Sequence, residues 1–231
     1  MTEYLDDDFE FDLDFSLDGI ETIESPEKVK PDEKQAAVHR RAGHRHLTRK
    51  AASEQALLNT LNWHFEPGEC YHCFSFGDVD SISYFKHVLR QQRVKYLALS
   101  TWCMAAEDVK DLRDWWKRGM IGRVDFYVGE IFQGSYSEVY DMICAFAREC
   151  GGRVVVFRNH AKVMAVVGER FDCLIESSAN VNTNPRSENT VLTVDSTLVA
   201  DYVKLFNGIV PFNREFRDAP VYEIPERKDN G

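Results

Sequence analysis

Between Glu69 and Cys150 the hydrophobic period of the chain switches back and forth between two and 3.6 residues, and this alternation limits the fold more than any other feature. "CYHCFSF", "VKYLALSTWCM" and "RVDFYVGE" read as strands, and "SISYFKHVLRQQ", "AEDVKDLRDWWKRG" and "SEVYDMICAFAREC" read as helices. Strands and helices in strict succession pack as a layered α/β/α domain around a mixed, largely parallel sheet. Trp115 and Trp116 fall where a helix meets that sheet and are expected in the core. With 231 residues the chain has room for one such domain plus appendages.

The appendages carry the charge. Residues 1–33 hold 13 acidic residues against Lys28 and Lys30, so the net charge of −10 belongs to this segment and the remainder is nearly neutral. Its Phe9, Phe11 and Phe15 are set among carboxylates without a sustained period, which predicts a disordered acidic tail, either solubilising or docking on a protein partner. Residues 34–62 turn helical. Lys34 to Lys50 contains six Lys or Arg, three His and no acid, and Arg41, Arg45 and Arg49 form one ridge suited to phosphate contact. An acidic tail tethered beside that ridge is expected to compete with nucleic acid for it. No run approaches the roughly 18 apolar residues of a membrane span, and no apolar leader follows a basic start, so a cytoplasmic protein without a membrane partner is expected. The six cysteines are scattered through core-like segments, as free thiols are. "ECYHCF" lacks the second ligand pair of a zinc site, and no metal or cofactor is expected.

After Gly151 the pattern changes. "VVVFRNHAKVMAVV" reads as a buried strand, yet Arg158, His160 and Lys162 recur at every second position and so share a face. A buried cation without a partner is costly, so that face either meets water or binds something negative. The short turn "GERFD" then leads into "CLIESSANVN", which predicts a hairpin. A turn centred at Glu169 and Arg170 pairs residues whose numbers add to about 339. Lys162 then lies opposite Ser177, and His160 opposite Ala179 between Ser178 and Asn180.

Such a patch suits phosphoryl chemistry. A neutral imidazole can attack phosphorus and form a phosphohistidine that water later hydrolyses. Lys162 and Asn180 can hold the non-bridging oxygens as negative charge builds, and Ser178 adds a further donor. Glu188 in "NPRSEN" is a candidate to orient the histidine through its other ring nitrogen.

"HAKVMAVVGERFDCLIESSANVN…SEN" resembles the H-x-K…G-S-x-N…E signature of the phospholipase D superfamily, most of all its small single-motif bacterial nucleases. The resemblance implies a phospholipase D-like domain over residues 63–216, with residues 217–231 as a C-terminal tail. His160 takes the place of the nucleophile or acid, Lys162 that of the phosphate-binding lysine, Ser178 and Asn180 those of the second segment, and Glu188 that of the orienting carboxylate. Val167 stands where the family has an Asp, and Ser177 where it has a Gly.

The superfamily reaction uses two histidines, and this chain has one motif. A two-fold homodimer would bring two copies of His160 to one phosphate. The resulting expectation is a metal-independent phosphodiesterase, an endonuclease acting on DNA or RNA, with Arg158, Arg41, Arg45 and Arg49 contacting nucleic acid. The alternative is a non-catalytic nucleic-acid-binding or regulatory protein that retains the fold. A lipid or small-phosphodiester hydrolase ranks third, because no amphipathic or lipid-anchor segment supports it.

Overall fold

The structure, a computed structural model, describes residues 64–182 and 186–225, together with Gln55, Leu57, Leu58 and Leu61. The acidic tail 1–33 and the basic ridge of Arg41, Arg45 and Arg49 lie outside the described residues. Seven strands, β1 (Cys70–Ser75), β2 (Val94–Thr101), β3 (Ile121–Gly129), β4 (Val154–Phe157), β5 (Val163–Gly168), β6 (Cys173–Ser177) and β7 (Glu188–Thr193), form one sheet in the order β1-β7-β6-β5-β2-β3-β4. Among the described residues five helices accompany it: α1 (Ser81–Leu89), α2 (Ala106–Lys117), the short α3 (Phe132–Ser135), α4 (Ser137–Cys150) and α5 (Ser196–Asn207).

The sheet separates two cores. On one face Leu97, Leu99, Phe126, Val154, Met164 and Ile175 pack with residues of α1, α2 and α4 such as Phe85, Leu112 and Ile143. On the other, Tyr96, Ala98, Tyr127, Val155, Ala165 and Val167 pack under Val199, Val203 and Phe206 of α5. The side chains of β2 and β5 alternate between the two cores because period two exposes both faces of a central strand to helices. The N-terminus of α5 is held by Asp195, whose side chain accepts from the backbone N–H groups of Thr197 (2.8 Å) and Leu198 (3.0 Å). Helix α4 ends at Gly151, whose φ of +69° is left-handed. Past α5 the chain returns across this second core. There Tyr222 stacks on Tyr96, with centroids 3.9 Å apart, and Asn207 donates to the Tyr222 carbonyl.

Two expectations need correction. The sheet is mixed but not largely parallel: only β2–β3 and β3–β4 run parallel, whereas β1–β7, β7–β6, β6–β5 and β5–β2 are antiparallel. Strand–helix alternation does produce the parallel half, but β1 crosses to the far edge to pair with β7, and the hairpin inserts β5 beside β2. Nor is "VVVFRNHAKVMAVV" one strand. Its first part is the edge strand β4 and its last part is the central β5, with β3 and β2 between them. Residues 158–162 are therefore a crossing over one end of the sheet, and their charges follow from that exposed position rather than from strand parity.

The hairpin register is the one the turn implies. Val163 pairs with Glu176 and Val166 with Cys173, each pair adding to 339, and the Ser177 N–H donates to the Lys162 carbonyl at 3.0 Å just beyond the ladder. Gln92 fixes the turn from outside the hairpin. Its Oε1 accepts from the N–H groups of Arg170 (2.9 Å) and Phe171 (3.1 Å), and its Nε2 donates to the Phe171 carbonyl at 2.8 Å. A fixed turn matters here because a one-residue slip would exchange the two faces of β5.

Candidate functional site

The strand directions bring several chain segments to one end of the sheet. β2, β3 and β4 finish there, β5 begins there, β6 finishes and β7 begins. His160 and Lys162 arrive on the crossing, Ser178 and Asn180 follow β6, and Glu188 opens β7. Crevices beyond the carboxyl ends of parallel strands are where α/β sheets bind ligands.

Lys162 lies against His160, with Nζ 3.0 Å from Nδ1 and 3.4 Å from Nε2, and donates to the His160 carbonyl at 2.7 Å. The imidazole itself is exposed. Its one ring neighbour among the described residues is Trp102, centroid to centroid 5.5 Å at a tilt of 48°. Partial burial lowers the pKa of the Lys162 ammonium, against the opposing effect of the Glu188 carboxylate. Burial raises the thiol of Cys103.

Ser178 donates its hydroxyl to the Glu188 carboxylate. Its Oγ also accepts from the Asn189 N–H at 3.0 Å, and its backbone N–H donates to the Asn189 carbonyl at 2.9 Å. The amide of Asn180 is oriented from just past the end of β2: its Oδ1 accepts from the Trp102 N–H at 3.3 Å, which turns Nδ2 away from that backbone. Thr101 completes the join, because its hydroxyl donates to the Cys103 carbonyl at 2.7 Å and accepts from the Val181 N–H at 3.2 Å. The site thus assembles one imidazole, one ammonium, one oriented amide and a hydroxyl–carboxylate pair. Such a set can take a tetrahedral anion and supply it with a nucleophile.

The two departures from the motif fall where they do not obstruct this set. Val167 is 3% exposed, pairs with Tyr96 across β2–β5 and packs in the core beneath α5. The Ser177 hydroxyl is engaged with Thr190 Oγ1 at 2.8 Å, within the β6–β7 pairing, and accepts from the Ala179 N–H at 3.0 Å. Arg158 is exposed on the crossing just past β4. Cys70 and His72 lie on one side of β1 and Cys73 on the other, packed against the first core, so strand alternation splits "CYHC" between faces.

Sequence reasoning missed the groups at and just past the end of β2. Ser100 donates to the Ala161 carbonyl of the crossing, the Trp102 N–H holds Asn180, and the Trp102 ring faces His160. The readable signal was a switch from apolar to polar and aromatic residues at the carboxyl end of a central strand, "LALSTWC". It also missed Asn159, which is 6% exposed and hydrogen-bonded to the ends of both β2 and β3.

No protein-family model matches the chain, and no curated protein matches it. Several solved structures are similar to it. Polyphosphate kinase from Porphyromonas gingivalis is 17% identical with a TM-score of 0.47, NucT from Helicobacter pylori 12% with 0.46, and phosphatidylserine synthase from Haemophilus influenzae 16% with 0.47. Each similarity covers 60% of this chain. It spans 25% of the kinase, 38% of the synthase and 94% of NucT. The described residues themselves form an α/β fold with a mixed seven-stranded sheet, and no helix among them is long and apolar enough to cross a membrane.

Proposed function

We propose that the chain is a metal-independent phosphodiesterase, an endonuclease that cleaves DNA or RNA through a phosphohistidine in a site completed by a second copy of the chain. The observation that carries this reading is the convergence of His160 and Lys162 with Ser178, Asn180 and Glu188 at one end of the sheet, from the crossing, the segment after β6 and the start of β7. The Lys162 ammonium and the Asn180 amide supply the positive charge and the donor that a phosphoryl transition state requires. His160 attacks phosphorus, and the P–O bond to the leaving alkoxide breaks. His160 of the partner subunit gives that oxygen a proton. The same imidazole then takes a proton from water, which displaces His160 from phosphorus and regenerates both histidines. The basic ridge of the sequence favours a polyanionic phosphodiester over a lipid.

The test is cleavage of a chromogenic phosphodiester and of single- and double-stranded nucleic acid in EDTA, with a His160→Ala control. Turnover that vanishes in the control supports the reading. Turnover only on adding a divalent ion, or equal turnover in both proteins, overturns it.

A further inference from the structure

We propose that Asn159 is the positioning residue of this site: it seats the crossing on two strands at once and so sets where His160 can stand. This rests on the reading of His160 as the attacking group.

The crossing leaves β4 at the edge and must pass β3 and β2 before entering β5. Asn159 is the buried residue in this passage, and its side chain meets both strands. Nδ2 donates to the Tyr127 carbonyl of β3 at 2.9 Å, and it reaches Ser100 Oγ at 3.0 Å and the Thr101 carbonyl at 3.3 Å on β2. Oδ1 turns the other way and accepts from the Ala161 N–H at 2.9 Å. Ser100 closes the loop by donating to the Ala161 carbonyl at 3.2 Å. The residues before and after His160 are therefore both tied to the sheet, while His160 projects outward between them.

Gly129, the last residue of β3, makes room for this arrangement. A β-carbon there would stand 3.1 Å from the Asn159 carbonyl oxygen and 3.2 Å from Trp102 Cδ1. The same corner thus packs the backbone of Asn159 beside the indole that faces His160. No other amide side chain among the described residues bridges β2 to β3 at this end. An attacking atom displaced by about 1 Å loses on the order of 100-fold in rate, because the in-line approach to phosphorus is lost. Asn159 touches neither substrate nor reacting atom and acts only through the place it gives His160.

The experiment compares Asn159→Ala, Ser100→Ala and the double variant in the full chain, with bis-p-nitrophenyl phosphate in EDTA. Asn159→Ala is expected to lower kcat by about 100-fold and to leave KM within about twofold, since the phosphate ligands stay in place. Ser100→Ala should lower kcat by a smaller factor. The double variant should be no slower than Asn159→Ala, because both act through one bracket. An unchanged kcat, a rise in KM alone, or full additivity overturns the proposal. Should Asn159→Ala fail to fold, Ser100→Ala decides by the same criteria.

A second readout separates this inference from the reaction. In carbon-13 histidine spectra, with the signal assigned by its loss in His160→Ala, the intact chain should give one narrow His160 imidazole signal. Asn159→Ala should split or broaden that signal alone. If the intact chain does not hydrolyse the probe, the proposed reaction fails, and the spectra still judge the positioning role. An unaltered His160 signal overturns it.

Discussion

Nζ of Lys162 sits 3.0 Å from Nδ1 of His160 while donating to that residue's own carbonyl oxygen. An anion entering the site meets the two groups together, and its oxygens take over donor capacity that the ammonium now spends on its neighbour. Burial disfavours the charged form of Lys162, so in the free protein it gives up its proton at a lower pH than an ordinary lysine. A bound phosphoryl group favours the charge and opposes that shift. The alkaline limb of kcat/KM, which reports the free enzyme, should therefore lie at lower pH than the limb of kcat, which reports the complex. Lys162→Arg should remove both limbs, because a guanidinium stays charged, at a reduced rate. A pH–rate profile of the two proteins checks this.

Replacing His160 by Ala should lower hydrolysis by about 1,000-fold or more, within the range expected for loss of a group that moves protons and attacks. Stability should scarcely change, because the imidazole is exposed and packs against no core. Urea unfolding alongside the chromogenic assay measures both. A large loss of stability would mean that His160 holds the crossing and does no chemistry.

A site made by two chains has a stoichiometric signature. When the intact protein is mixed and re-annealed with His160→Ala chains, activity should fall as the square of the intact fraction. Independent sites would give a linear fall. Titration of one protein into the other at constant total concentration distinguishes the curves.

Placing an Asp at position 167, where the H-x-K signature that the sequence resembles carries one, should harm this chain. Val167→Asp places a carboxyl in the core under α5, where it is 3% exposed among Tyr96, Ala165 and Val203. Unfolding in urea at pH 7 should show a loss of ~3 kcal/mol. The sign with pH follows from burial: the folded state raises the pKa of the new acid above its unfolded value near 3.9, so the penalty grows as pH rises past that value and is smallest near pH 3. No gain in hydrolysis is expected.

The parts legible in the sequence were those fixed by local pattern. Period, turn position and register followed from residues such as Glu169, Arg170 and the alternation of β5, and the hairpin needed little else. What could not be read was partner choice across the sheet. Whether β1 pairs with β2 or crosses to β7, and whether Val154–Val167 is one strand or two, depends on contacts far apart in sequence, and the local pattern is the same either way. For the same reason the motif half of the site was visible, whereas Ser100, Trp102 and Asn159 emerged only once β2 and β3 ended beside the crossing.

The crossing between β4 and β5 also limits how this protein can drift in length. Adjacent strands lie ~4.8 Å apart, so passing two of them takes roughly 14 Å. The chain from Phe157 to Val163 can stretch to ~20 Å when fully extended. A tether drawn to more than two-thirds of its reach has little slack. Losing one residue between Arg158 and Lys162 would pull on the edge strand, and gaining one would let the segment sag while the sheet stayed whole. The length of this stretch is therefore constrained along with the identities of Asn159, His160 and Lys162. A functional lineage should keep the count of five residues between Phe157 and Val163.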